Sequence, residues 1–511
     1  MYNFIFRRAL SSLGVLLVAT FLIYVLVDIA IDPLQDLLQS TAPNKEALIA
    51  ARVQQLQLDV PSPVRYLGWL GGVAGCFIGK CDLGVAWTTN QQVTDILVSS
   101  IGVTIKLVTL ATVVAMILGI TVGVVSALRQ YTGFDYTMIF ISFLLYSLPS
   151  FWVAVLMKQW GAIGFNDFLA NPELSIGVIL LIGVAAGIIW QAIFSGDLKR
   201  RLIVFGSAFA VTSGVLWYMI ATDWFRKPSL GPIVILLTGV GIAFALTAIM
   251  AGLRNRKALY AAVSTAVLIA ALWYPMQFAF HGANAGIVFG LLVAVVAGGI
   301  LIGWLWGGYD RAVSMRISAL VALLGFGLLF ADRVMQAWVP YFNSSAINGR
   351  PIATIGSETP GLKGSFWTTQ LDSYTHLILP TLVLVLVSFA AYTRYSRASM
   401  LEVMNQDYVR TARAKGLSER VVVVRHAFRN SLIPLATIIP LDFAGILGGA
   451  VITEKIFGWR GMGTMFLSGL QKSEIDPVMA YVLVIGFVAI VANFLADLLY
   501  AVLDPRIRVN A

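Results

Sequence analysis

The feature that most limits this chain is a recurrence of apolar windows, each about 20 residues long and nearly free of charge. A bilayer core about 30 Å thick is crossed by roughly 20 residues of helix. Twelve windows meet that length, near 9–30, 101–128, 135–160, 174–194, 202–222, 229–252, 258–279, 286–306, 317–338, 375–396, 431–453 and 478–503. Lipid cannot satisfy an open strand edge, so such spans are expected to be helices. Composition agrees: 59% of the residues are hydrophobic and 12% are charged, where a soluble domain carries about 25% charged residues. An all-α polytopic membrane protein is expected, and disorder, collagen-like repeats and a disulfide-stapled secreted module are excluded.

The first window follows Arg7 and Arg8 as a signal peptide would. Its apolar stretch is too long, however, and Asp28 and Asp32 stand where a small-residue cleavage site belongs. It reads as a retained helix. Lys and Arg outnumber Asp and Glu by 35 to 25, and the excess falls in short loops, as it does on the cytoplasmic face of membrane proteins. With the amino terminus inside, Lys199-Arg200-Arg201, Arg254 with Arg256 and Lys257, Arg311 with Arg316, the segment 397–430 and Arg506 with Arg508 all face the cytoplasm. Both termini are then cytoplasmic. No basic run interleaved with aromatics suggests nucleic acid. Trp160, Trp190, Trp217, Trp273, Trp304, Trp306 and Trp338 are expected in interfacial belts. The pairs Gly119/Gly123, Gly183/Gly187 and Gly445/Gly449 are expected on helix-packing faces.

Three segments outside the bilayer are long enough to matter. Residues 31–100 include a polar helical stretch, then PSPVRYLGWLGGV, in which Tyr66, Leu67, Trp69 and Leu70 could lie on the membrane surface. Cys76 and Cys81 follow. In an oxidising compartment a bridge is permitted, and two unpaired small residues are equally compatible. Residues 339–374 are Gly/Ser/Thr-rich and expected to form a loop with one short helix. The third segment, Thr393 to Pro434, is basic and unusual. A helix should stop at Lys415-Gly416, and Ser418 could cap another beginning at Glu419. Solvated charge explains its arginines but not Ala412, Ala414 and Val421 to Val424, which need an apolar partner. A docking surface is the better reading.

Chemistry of its own is not expected from this chain. No phosphate-binding GxxxxGK[ST] loop occurs, since Gly79-Lys80 runs into Cys81, and HExxH and GxSxG are missing. His281, His376 and His426 lie far apart, so no metal site is expected. An ion-coupled secondary transporter is a competing class, because twelve spans suit one. The ionisable candidates inside spans are few, Lys106, Asp442 and Asp497, and no duplicated halves are evident.

The segment QDYVRTARAKGLSERVVVVRHAFRNSLIP, Gln406 to Pro434, resembles the cytoplasmic loop of peptide-class ABC importer permeases, the inner-membrane subunits of dipeptide and oligopeptide transporters. Further matches occur in family order: DLG at Asp82–Gly84, SLPSFW at Ser147–Trp152, GGAVITEKIFGWRGMG at Gly448–Gly463 and DLLYAVLDPRIR at Asp497–Arg508. IDP at Ile31–Pro33 stands where the family often has GDP. Arg410-Thr411-Ala412 replaces the EAA of the wider importer group, as is usual in the peptide branch. The resemblance implies a six-helix type I permease core, 1–165 and 340–511, with 166–339 as a six-span insertion; an even number of spans preserves the orientation of the later core helices. It implies a coupling helix docking on an ATPase through Tyr408, Arg410, Ala412, Arg413, Lys415, Gly416, Leu417, Glu419 and Arg425. It also implies partners: a second permease, two ATPase subunits or one fused pair holding ATP and Mg²⁺, and an extracytoplasmic solute-binding protein, all at a bacterial plasma membrane. Peptides are the expected cargo, with nickel chelates or oligosaccharides as alternatives. Substrate-path residues are expected on the spans near 101–128, 135–160, 431–453 and 478–503.

Overall fold

The computed structural model describes residues 2–503 apart from 42, 195, 309 and 310. The chain is helical almost throughout. Helix α1 (Tyr2–Ala30) is followed by three short helices, α2 (Gln35–Leu38), α3 (Lys45–Leu56) and α4 (Ser62–Gly75), and by one small hairpin of β1 (Val85–Ala86) and β2 (Gln91–Gln92). Helix α5 (Val93–Leu128) then crosses back, and α6 (Gly133–Ser147) returns. At Pro149, in the SLPSFW motif, the chain turns by 100° into Ser150–Ala170. That bent arm comprises α7 (Ser150–Leu156), a π-helical stretch and α8 (Phe165–Ala170). The window near 135–160 is therefore not one straight span. Proline lacks the N–H that would continue the helix, and it disfavours helical backbone in the residue before it.

The middle of the chain forms α9 (Ile176–Phe194), α10 (Leu198–Ala221), α11 (Gly231–Met250), α12 (Arg256–Ala271), α13 (Trp273–His281), α14 (Ala285–Trp306) and α15 (Arg311–Gln336), followed by the short α16 (Trp338–Phe342). Helices α12 and α13 are a second broken pair, bent by 51°. Among the described residues ten helices are long and apolar enough to cross a membrane, or twelve with each bent pair counted as one span. Helix α17 (Phe366–Met404) starts nine residues before its apolar window, because Ser365 caps it by accepting from the Thr368 N–H. The carboxy-terminal part contains α18 (Asp407–Ala414), α19 (Glu419–Val421), α20 (Arg429–Gly449), α21 (Val451–Phe457), α22 (Met462–Gln471) and α23 (Ile475–Leu503). The motif at Asp497–Arg508 runs past the described residues, and Arg506 and Arg508 lie outside them.

The central contact is between α5 and α17. A Cβ on Gly119 would strike the Tyr392 Cβ, and one on Gly123 would strike Thr393 and Ser396. These glycines bring two backbones together so that Leu107, Val108, Ala111 and Ala115 meet Val383, Leu384 and Tyr392 in one buried cluster. Gly183 and Gly187 do the same for α9 against Phe209 and Phe205 of α10. Gly445 and Gly449 do not, since both face open space.

Another sequence expectation changes. Tyr66 and Trp69 of α4 do not lie on a membrane surface; they are buried with Tyr24 and Met479, and the Tyr66 hydroxyl bonds Thr20 Oγ1 at 2.9 Å. Leu67 alone of the four is fully exposed. An aromatic ring with a polar tip is better satisfied against the α1 backbone and hydroxyl than in lipid. Trp273, expected in an interfacial belt, donates its indole N–H to buried Asp332 at 2.6 Å. Cys76 and Cys81 are joined by a disulfide.

Candidate functional site

The sequence-predicted residues gather at the end of the bundle where α17 passes into α20. Helix α18 is amphipathic on a short scale. Val409 and Ala412, three apart, are buried, whereas Tyr408, Arg410, Thr411, Arg413 and Ala414 are exposed. Asp407 sits in its first turn and Arg413 in its last, each favourable to the helix dipole. The helix ends as expected. Gly416 adopts φ +74°, and the Leu417 N–H reaches back to the Ala412 carbonyl at 3.4 Å. This is the left-handed glycine termination that a side chain at 416 would strain. Helix α19 begins at Glu419, but the Ser418 side chain makes no capping bond; its carbonyl accepts from Val421 and Val422 instead. Arg413 and Glu419 close the turn with a two-point pair, Nη2 to Oε1 at 2.8 Å and Nε to Oε2 at 3.2 Å.

The apolar residues that sequence reasoning assigned to a partner are divided. Val409 and Ala412 pack on Val422, with Met404 and Val403 beside them. Val423 joins Ala127, Met400 and Ala427 in a neighbouring cluster. Ala412 is thus a foundation of the hairpin, not its contact surface. Small size is what the position requires. Tyr408, Arg410, Lys415, Gly416, Leu417 and Arg425 remain exposed. A cleft of about 780 Å³ separates this hairpin from the α5–α6 turn, with Tyr131, Met404, Asn405, Arg413 and Glu419 on its walls.

Below the hairpin, a charged staple not anticipated from sequence holds three helices. Asp135, at the start of α6, accepts from Arg397 of α17 at 2.7 and 2.9 Å and from Ser126 of α5. Asp135 is 1% exposed. An acid in the first turn of a helix reads locally as a dipole partner, so only the long-range contact reveals its use.

The opposite end of the bundle gathers the DLG and GGAVITEKIFGWRGMG motifs. The Glu454 carboxylate, 1% exposed, accepts from the Gly463 and Thr464 N–H groups at 2.8 and 3.2 Å and from the Thr104 hydroxyl. It therefore caps α22 from α21 while tying both to α5. Burial pushes the Glu454 carboxyl above its ordinary range, against the pull of these donors. A Cβ on Gly461 would collide with Glu454 and one on Gly463 with Val451, which explains the glycines of this motif. The DLG motif docks beside it. Val85 N–H donates to Asp476 at 3.1 Å, and Thr88 donates through both N–H and hydroxyl to Glu474. The 343–365 loop joins this assembly where the Gly356 N–H meets the Phe457 carbonyl at 2.8 Å. Lys106 has no polar partner among the described residues, whereas Asp442 accepts from the Tyr392 hydroxyl and Asp497 pairs with Arg8 at 2.9 Å.

The middle helices meet the rest at two places, α9 against α6 and α15 against α17. Asp332, fully buried, accepts from the Leu230 and Gly231 N–H groups at 2.7 and 3.1 Å, from Trp273 and from Gln336. Next to it, the Arg333 guanidinium lies over the Trp367 ring, and the Trp367 N–H donates to the Phe280 carbonyl at 2.7 Å. Asp332 and Arg333 thus place an acid and a base side by side in the chain, each with different partners.

The family model described as "Binding-protein-dependent transport system inner membrane component" matches residues 247–509. A second, described as the N-terminal part of a binding-protein-dependent transport system membrane component, matches 1–108. The first match begins inside the 166–339 stretch that the sequence sets apart. Among curated proteins, the oligopeptide transport system permease protein OppB of Mycobacterium tuberculosis is 37% identical over 234 residues, 44% of this chain and 68% of that protein. Shorter matches are to the oligopeptide permease AppB of Bacillus subtilis, 44% over 137 residues (27% of this chain, 43% of that one). The dipeptide permease DppB of Escherichia coli is 44% identical over 138 residues (27% and 41%).

Proposed function

The chain belongs to the family of binding-protein-dependent transport system inner membrane components, and from that premise we propose that it is one permease of an ATP-driven importer of dipeptides or oligopeptides. The observation that carries this reading is the α18–Gly416–α19 hairpin. It presents Tyr408, Arg410, Lys415 and Leu417 outward while Val409 and Ala412 anchor it to α17 and to the 422–428 stretch that leads into α20. A hairpin anchored in this way moves with its helices and not on its own. Force applied by an ATPase subunit to the exposed face would pass into α17, and through Arg397–Asp135 into α5 and α6. Two such ATPase subunits, or one fused pair, would hold the ATP and Mg²⁺ and carry out hydrolysis, and this chain would hold neither.

A second permease would complete the path. The solute-binding protein would dock on the end carrying the 343–365 loop, α21 and α22, placing the hairpin and both termini in the cytoplasm of a bacterial cell. We read 166–339 as an insertion in one loop. Its support is the side chain of Asn166, which donates to the Ile352 carbonyl at 2.8 Å and accepts from the Ile352 N–H at 3.0 Å. Residues 186 positions apart thus sit side by side, as the two rims of an inserted segment must.

The test is reconstitution. The chain should co-purify with ATPase subunits, and proteoliposomes given ATP and the cognate binding protein should accumulate labelled trialanine. Accumulation driven by an ion gradient without ATPase subunits would refute the reading.

A further inference from the structure

Arg394 stands on α17 ten residues before Met404, or about 15 Å from that end at 1.5 Å per residue. Its guanidinium lies 4.0 Å from the ring centroid of Tyr146 and 5.6 Å from that of Phe143. On α6 those residues are eleven and eight positions beyond Asp135, the partner of Arg397, and so share its side of the helix at greater depth. The Arg394 side chain therefore runs toward the middle of the bundle. A lipid-facing arginine does the reverse, snorkelling to the nearer interface.

Two other arginines inside the spans are held by carboxylates, and Arg333, which lies over the Trp367 ring, is held by the amides of Gln277 and Gln336. Arg8 has Asp497 and Arg397 has Asp135. The Arg394 Nε donates to the Ala390 carbonyl at 3.3 Å, and among the described residues Arg394 has no carboxylate partner and its terminal nitrogens no hydrogen-bond acceptor. Contact with an aromatic face positions a guanidinium while leaving N–H donors in its plane for an anion. Phe143 and Tyr146 are 56% and 62% exposed, so the arrangement is open on one side. An unpaired cation at this depth faces water or a charged ligand, not hydrocarbon.

We propose that Arg394 lines the substrate path and receives the carboxylate of the translocated peptide. The carboxylate assignment rests on the peptide reading above; the path assignment rests on geometry alone. Peptides of every sequence share one terminal carboxylate, so a single forked donor suits a path that must tolerate many side chains. It also places a path residue on α17, a span the sequence reading did not assign to the path.

The experiment uses the whole importer in proteoliposomes. In Arg394→Cys the new thiol is the one free thiol of this chain, because Cys76 and Cys81 are bonded to each other, and labelling is read on this chain after the subunits are separated. A charged, membrane-impermeant thiosulfonate should label it, more slowly in the presence of excess trialanine and the binding protein. Labelling only by a lipid-soluble maleimide would overturn the path assignment. In parallel, Arg394→Gln should lower kcat/KM for trialanine by about tenfold or more, and Arg394→Lys should recover most of it. Wild-type uptake by the Gln variant, in complexes that co-purify intact, would overturn the carboxylate role. If the wild-type importer ignores trialanine, the peptide reading fails and the carboxylate assignment with it, while the labelling still decides the path.

Discussion

The α5–α17 pair and the α9–α10 hairpin begin from the same device, two glycines four apart that admit a facing helix. They are then finished differently. Around α5–α17, polar contacts add to the packing: Arg397–Asp135–Ser126 ties α17 to α5 through α6 near the hairpin, and Thr104–Glu454 ties α5 to α21 at the other end. Around α9–α10 the packing is aromatic, Phe205 and Phe209 against glycine, and α10 buries none of its residues. Close packing alone joins helices; polar staples also fix their register against one another and against the helices beside them, so that displacement of one is felt by the others. The first arrangement suits an element that must transmit force, and the second one that only has to stay attached.

That contrast fails if damage to the hairpin foundation is tolerated. Ala412→Asp buries an unpaired charge beside Val409 and Val422, at a cost on the order of 3–5 kcal/mol to this local packing. Uptake and substrate-stimulated ATPase activity should both be lost while the spans still insert. Vesicle uptake and a protease-protection assay of topology measure the two separately. Gly416→Ala should act in the same direction but more weakly, at about 1 kcal/mol for a side chain at positive φ.

Glu454 sharpens the comparison at the opposite end. Glu454→Leu leaves the Gly463 and Thr464 N–H groups and the Thr104 hydroxyl without their acceptor, at about 2–3 kcal/mol. Its raised carboxyl pKa has a sign that can be checked. A carboxyl whose folded pKa lies above its unfolded value favours the protonated folded state, so its contribution to stability is greatest below the unfolded pKa of 4.5 and declines as pH rises through the folded value. The melting temperature of the wild type relative to Glu454→Gln should therefore fall between about pH 4.5 and neutrality. A flat difference would mean that the donors fully offset burial.

Within the middle segment, Asp332→Leu removes the acceptor of two backbone N–H groups and the Trp273 indole, at about 2 kcal/mol. The expected result is a lower melting temperature with uptake per folded molecule unchanged. If uptake per molecule falls with it, the segment is more than an attachment, and the Arg333–Trp367 contact on α17 is the route to examine.

Much of this architecture was legible before any coordinates. All twelve windows carry helix, because hydrophobic length is a local property that tertiary contacts seldom override in lipid. The helix stop at Gly416 was legible for the same reason, since backbone conformation at glycine is decided locally. Destinations were not legible. Tyr66 and Trp69 have the composition of surface-lying residues and yet pack on α1; Ala412 sits in the segment expected to dock and yet is buried. Asp135, Asp332 and Arg394 each look ordinary in their own segment. Their meaning lies in partners 262, 102 and 248 positions away, pairings that no periodicity encodes.

The smallest effect concerns the rim at which the two kinds of region meet. Asn166 is 3% exposed and spends both ends of its amide on the backbone of Ile352. Asn166→Ala leaves one buried N–H and one buried carbonyl unpaired, and the net cost should be about 1–2 kcal/mol. Asn166→Asp is the sharper variant. Its carboxylate still accepts from the Ile352 N–H, but it can no longer donate to the carbonyl and sets negative charge against that oxygen. If the amide is a true two-way clamp, Asp should destabilise at least as much as Ala despite keeping one bond. If only the N–H contact matters, Asp should match the wild type. A thermal shift series on the purified membrane protein separates the outcomes, and only the first makes Asn166 the point at which the middle segment is fastened to the helices that carry the transport cycle.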